Sequence, residues 1–162
     1  MSIKHANDPD AAEIDKAPKD ITVEELIATK MPEGSKDLEN YTNSRVGEFE
    51  RSTFRLKGTL KSIQHKKDGD YYLVMVGQSG AEAVVEVPDP DLCKGSPILP
   101  EITKARDELE AKYHPTDEVK TIGAPAVIEG VGFYGFKGKP GSGGNGRPSR
   151  LMPGTGFSEV KK

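Results

Sequence analysis

The chain has a single cysteine, no apolar run long enough to span a membrane, and only 34% hydrophobic residues against 30% charged ones. Each shortage excludes something. One thiol, Cys93, rules out an intramolecular disulfide and any cysteine-rich zinc site. A membrane helix needs about 18 consecutive apolar residues, and no stretch approaches that. The opening MSIKHANDPDAAEIDKAPKD lacks the apolar segment of a secretory leader. The expectation is a soluble, cytoplasmic protein, although an exported chain whose leader had been removed would read the same way. The histidines His5, His65 and His114 lie far apart, without metal-ligand spacing or triad partners. No cofactor motif is present, and KGKPGSGGNG lacks the Gly-Lys-Ser/Thr ending and following helix of a phosphate loop.

What is present is uneven. Residues 1–50 carry six basic and twelve acidic residues, whereas residues 137–162 carry six basic residues against Glu159 alone. A length of 162 residues fits one domain with a tail. The division expected is an acidic, partly disordered extension over residues 1–44 and a folded domain over 45–160. Residues 1–20 have the charge and proline content of a disordered segment. A short helix is expected at about 22–31, where Thr22 and Glu25 have capping-box spacing and Val23, Leu26 and Ile27 share one face.

Beyond Arg51 the pattern is that of strands. In TFRLKGTLK, Phe54, Leu56, Gly58 and Leu60 alternate with Arg55, Lys57, Thr59 and Lys61, and Ile63 falls out of phase, which predicts a bulge. An Asp-Gly turn in KKDGD leads to YYLVMVG, apolar on both sides. AEAVVEVPDP follows, with Ala83, Val85 and Val87 inward and Glu82 and Glu86 outward. Ile102, Ala105, Leu109 and Tyr113 then recur at helical spacing after Pro100. The long extended run VKTIGAPAVIEGVGFYGF is expected to break at Pro125, and RLMPGTGFSEV supplies an imperfect last strand. Gly130, Gly132 and Gly135 within one strand signal curvature or close backbone approach. Three meandering strands, a helix and two further strands make the predicted class all-β: an OB-like barrel of five strands with one helix between strands three and four, plus a short N-terminal helix.

VPDPDLC, the Ala105–Arg106 pair in the helix, and GVGFYGF followed by a glycine-rich loop with an asparagine resemble a family of small bacterial proteins. Its members carry an IPDP-like strand end, a GVGFFDF-like strand and a closing N-x-IELHPV segment. The resemblance covers roughly residues 45–157. It implies an OB-like barrel and brings no activity with it. This chain departs from the pattern at the close, where Arg150, Leu151, Met152 and Pro153 replace the acidic-histidine segment.

Candidate binding residues follow from charge on such a scaffold. Arg55, Lys57 and Lys61 form an outward basic stripe on the first barrel strand. Lys66 and Lys67 lie at a hairpin tip, and Lys137, Lys139, Arg147 and Arg150 surround the loop after Tyr134 and Phe136. In OB folds these loops flank an oligonucleotide groove, where cations follow phosphates and exposed aromatics stack on bases. Of Phe133 and Tyr134, one is expected to point into the core. The expectation is a non-catalytic module binding single-stranded nucleic acid, with the acidic tail able to fold back on the basic face and compete. Two alternatives stay open: a protein-interaction module using the glycine-rich strand as an exposed edge, and a metal-assisted nuclease-like enzyme. Asp89 with Asp91, and Asp68 with Asp70, could chelate a hard cation, but they read better as turn formers.

Overall fold

Alternation with one buried face builds the sheet. The computed structural model describes residues 5–29, 45, 47–134 and 149–160. It is mostly β, with few helices. The strands are β1 (Asp15–Ile21), β2 (Ser52–His65), β3 (Tyr71–Val76), β4 (Glu82–Val87), β5 (Lys120–Phe133) and β6 (Arg150–Glu159), joined by helices α1 (Val23–Ala28) and α2 (Leu99–Tyr113). No helix among the described residues is long and apolar enough to cross a membrane.

The six strands form one mixed sheet in the order β1–β2–β3–β4–β6–β5, and β2 also pairs with β5, so that β2 to β6 make a ring. Most neighbours are antiparallel. β4 and β6 run parallel and meet at one paired position, Val85 with Leu151. Leu56, Leu60, Ile63, Leu73, Met75, Ile128 and Leu151 point inward and are fully buried. Helix α2 adds Ile102, Ala105 and Leu109 to this core and packs along β6.

The bulge expected in β2 lies between Leu60 and Ser62, in its ladders with both β3 and β5. On the β5 side, Leu60 faces Ala124 while Ser62 faces Thr121, and Gly123 takes the extra residue at φ +73, a conformation that glycine adopts without Cβ strain. Pro125 does not break the strand as expected. It stands opposite Thr59 beside this irregularity, and its carbonyl accepts a hydrogen bond from the Val160 N–H.

The acidic extension differs most from its sequence reading. Residues 15–20, within the segment expected to be disordered, join Ile21 in β1, a sixth strand laid parallel on β2 with Asp15 opposite Ser52 and Ile21 opposite Leu56. Ala6, Ala11, Ile14, Val23 and Leu26 are buried in the common core. The Arg45 guanidinium clasps both carboxylate oxygens of Asp8 at 3.0 and 2.9 Å, with both side chains shut off from solvent. Charge content hid the strand: DKAPKDI buries nothing by alternation and forms only because β2 offers it an edge. Pro18 and four charged side chains in turn blunt the outer edge of β1. The predicted capping box is present, Thr22 and Glu25 each bonding the other's backbone N–H, and α1 spans Val23–Ala28.

Close approach explains the glycines of β5. A Cβ on Gly132 would collide with the Phe49 carbonyl oxygen and come within 3.0 Å of the Phe49 ring, and one on Gly130 would sit 2.9 Å from the Leu151 Cβ. Backbone is on the receiving side, so the clash cannot be relieved by a rotamer change. Gly132→Ala is expected to cost about 2 kcal/mol by overpacking, read as a lower urea midpoint at unchanged slope; an unchanged midpoint would refute the close-approach account.

Candidate functional site

Burial alternates along β3. Tyr71, Leu73 and Met75 face the core, while Tyr72, Val74 and Val76 are half-buried on the outer face. β4 places Val84 directly across from Val74, and Glu86 across from Tyr72. β2 places Gln64 on the other side of Tyr72. The outer face of β3 and β4 therefore carries a short apolar strip, Tyr72–Val74–Val84. There the β2–β3 hairpin holds the Lys66 ammonium 4.2 Å from the centre of the Tyr72 ring. Beside it Gln64, His65, Lys66, Lys67, Asp68 and Asp117 line an open pocket of about 430 Å³.

Arg106 fixes the base of this hairpin. Its guanidinium stacks 3.5 Å from the Tyr71 ring centre and donates to the carbonyls of Gly69 and Val87 at 2.7 and 3.1 Å. It also faces His65 Nε2 at 3.4 Å. Tyr71 donates its hydroxyl to the Glu110 carboxylate; burial, reinforced by that carboxylate, raises the phenol pKa. Helix α2, β4 and the hairpin are thus tied at one point. Cys93 lies nearby, its thiol pushed up to about 12 by burial, with Asp70 and Asp89 adding to the effect.

The predicted cations divide into three groups. Lys66 and Lys67 stand exposed at the hairpin tip, and Lys57 stands exposed on β2 opposite Val127. Arg55 lies between carboxylates, 3.7 Å from Asp20 and 3.6 Å from Glu129, and Lys61 is 2.5 Å from Glu82. Arg150 is buried, not outward, and donates to Glu86 at 3.0 Å; Glu86, expected to point to solvent, is buried by the same contact. Tyr134 is the aromatic that turns inward: it is 7% exposed, 4.6 Å from the Phe49 ring, with its N–H bonded to the Glu50 carboxylate. It presents no stacking surface. Phe136, Lys137, Lys139 and Arg147 lie outside the described residues.

Among the described residues, the glycine-bearing part of β5 is paired on both sides, with Gly130 opposite Phe54 of β2 and Gly154 of β6. The Asp68 and Asp89 side chains accept from the N–H groups of Asp70 and Asp91 and shape their turns. No group of three metal-capable side chains occurs among the described residues. Carboxylates of the extension meet three arginines, Asp8 at Arg45, Asp10 and Glu13 at Arg51, and Asp20 at Arg55, and of these Arg55 alone belongs to the basic stripe expected from sequence.

Sequence reasoning missed Tyr72 and the Arg106 anchor. YYLVMV is apolar at every position, so its periodicity does not say which tyrosine faces out; the Asp-Gly hairpin register, pairing Gln64 with Tyr72, decides it. Compared with known proteins, the chain matches no protein-family model and no curated protein sequence.

Proposed function

We propose that this chain is a non-catalytic binding module on an OB-like barrel, and that the outer face of β3 and β4 takes single-stranded nucleic acid. The ring order supports the fold reading. With β2 to β6 taken as strands one to five, the first neighbours the fourth, the third neighbours the fifth, and a helix joins the third to the fourth. OB folds bind oligonucleotides on the face of strands two and three, between the loops after strands one and four. Those strands are β3 and β4.

The observation that carries the ligand class is Lys66 resting on the outward-facing, half-buried ring of Tyr72. A cation on an exposed ring is worth about 0.5–1 kcal/mol, whereas a base stacked on an aromatic contributes about 1–3 kcal/mol. An arriving base therefore displaces the ammonium, which is left free to meet the phosphate. Tyr72 is the stacking platform, Val74 and Val84 continue the apolar strip, and Lys66 and Lys67 supply charge. Arg55, Lys61 and Arg150 already have carboxylate partners and contribute little.

The test is a fluorescence-anisotropy titration of labelled single-stranded DNA and RNA with the full chain, at low and moderate salt. Tyr72→Ala should weaken binding by about tenfold, the worth of one stacked base, without changing the melting temperature. Failure of the unaltered protein to bind either strand at low salt would sink this reading. The runner-up is a protein partner, favoured by Val74 and Val84 facing each other half-exposed; it predicts that Val74→Asp abolishes a salt-insensitive complex.

A further inference from the structure

We propose that the pocket at the β2–β3 hairpin seats the terminal phosphate of a single strand, making this module an end binder rather than one that tracks along a backbone. The inference rests on the nucleic-acid reading above. It begins from the distribution of charge. A protein that tracks a strand needs a row of available cations. Among the described residues the row is interrupted, because Lys61 is held by Glu82, Arg55 lies between Asp20 and Glu129, and Arg150 is buried on Glu86, which leaves Lys57 alone exposed on it. On the tip of the hairpin, Lys66 and Lys67 make no ion pair with any described residue.

Pocket geometry points the same way. Gln64, His65, Lys66, Lys67, Asp68 and Asp117 all line it. A continuing strand would carry further phosphates past Asp117 and meet repulsion. A single terminal phosphate need not. Near neutral pH it bears more charge than an internal diester, since its second ionisation lies at about 6, so it gains most from two ammonium groups at close range. Arg106 shapes this site indirectly. Its guanidinium stands 3.4 Å from His65 Nε2, beside the pocket wall. Tyr72 lies one lysine side chain away from the pocket, so a terminal base on the ring and its own phosphate among the lysines form a nucleotide-sized site.

The experiment compares short oligothymidylates labelled at one end and carrying either a phosphate or a hydroxyl at the other, for each polarity. The phosphorylated end should bind about tenfold tighter, one charge-assisted contact to a dianion. Its salt dependence should be shallow, with a log–log slope of about −1.5 for two lysines on a single strand. Lys66→Gln with Lys67→Gln should erase the phosphate preference. Lys94→Gln, an exposed lysine elsewhere, should leave it intact. Equal affinity for phosphate and hydroxyl ends at both polarities, or a preference that survives the double substitution, overturns the end-binding proposal alone. Absence of binding by every oligonucleotide overturns it together with the nucleic-acid reading.

Discussion

A chain that begins at residue 30 is expected to lose its cooperative unfolding transition. The charge of the extension suggests a dispensable tail whose removal would only bare the basic face, but its packing says otherwise. Burying Ile14, Val23 and Leu26 contributes about 1.5–3 kcal/mol each, and all three are at most 7% exposed. Removing Asp8 also leaves the Arg45 guanidinium without the carboxylate it clasps in a solvent-free site, and breaking a buried pair from one side costs about 3–5 kcal/mol. The sum rivals the whole stability of an ordinary domain, about 5–15 kcal/mol. Circular dichroism and urea unfolding of the truncated chain check this. A sigmoidal transition near the midpoint of the full chain would show that the extension is ornamental. It follows that competition by the acidic segment is better tested by single substitutions, such as Asp20→Asn beside Arg55, than by deletion.

Arg150→Ala is expected to destabilise the fold by about 3–5 kcal/mol, not to act as the loss of a surface contact. Its side chain is 7% exposed and that of Glu86 is 9% exposed, so truncation strands a carboxylate out of water. The pair also spans β4 and β6, where the ring is joined at one ladder position. A variant carrying Glu86→Gln and Arg150→Met should recover most of the loss, because a buried pair is replaced by neutral groups of similar volume. Urea midpoints of the single and double variants measure both effects. If Arg150→Ala unfolds like the unaltered protein yet binds oligonucleotide more weakly, Arg150 belongs to the ligand surface after all.

The elements that were legible in the sequence are those with a local cause. The bulge after Leu60 showed in the misplaced Ile63, α2 in the spacing of Ile102, Ala105 and Leu109, and the cap of α1 in Thr22 and Glu25. β1 was invisible because its reason to exist lies across the sheet, in the edge of β2. The same holds at the candidate site. A lysine in a sequence shows its charge but not its partner, so Lys61, Arg55 and Arg150 read like Lys66 and Lys67 until Glu82, Asp20, Glu129 and Glu86 are seen beside them. Tyr134 and Tyr72 exchanged importance for a related reason: which ring faces solvent is settled by strand register and by Phe49, not by composition.

The single ladder position between β4 and β6 has a kinetic consequence. The β2–β3–β4 meander closes short loops and can assemble early, whereas Val85 and Leu151 meet only after a long stretch of chain has been ordered, and such non-local closure is slow. The seam should therefore be the last part of the ring to form and the first to open. Backbone amides along it would exchange with solvent through partial opening, at lower free energy than those of β3, which is hydrogen-bonded to strands on both sides.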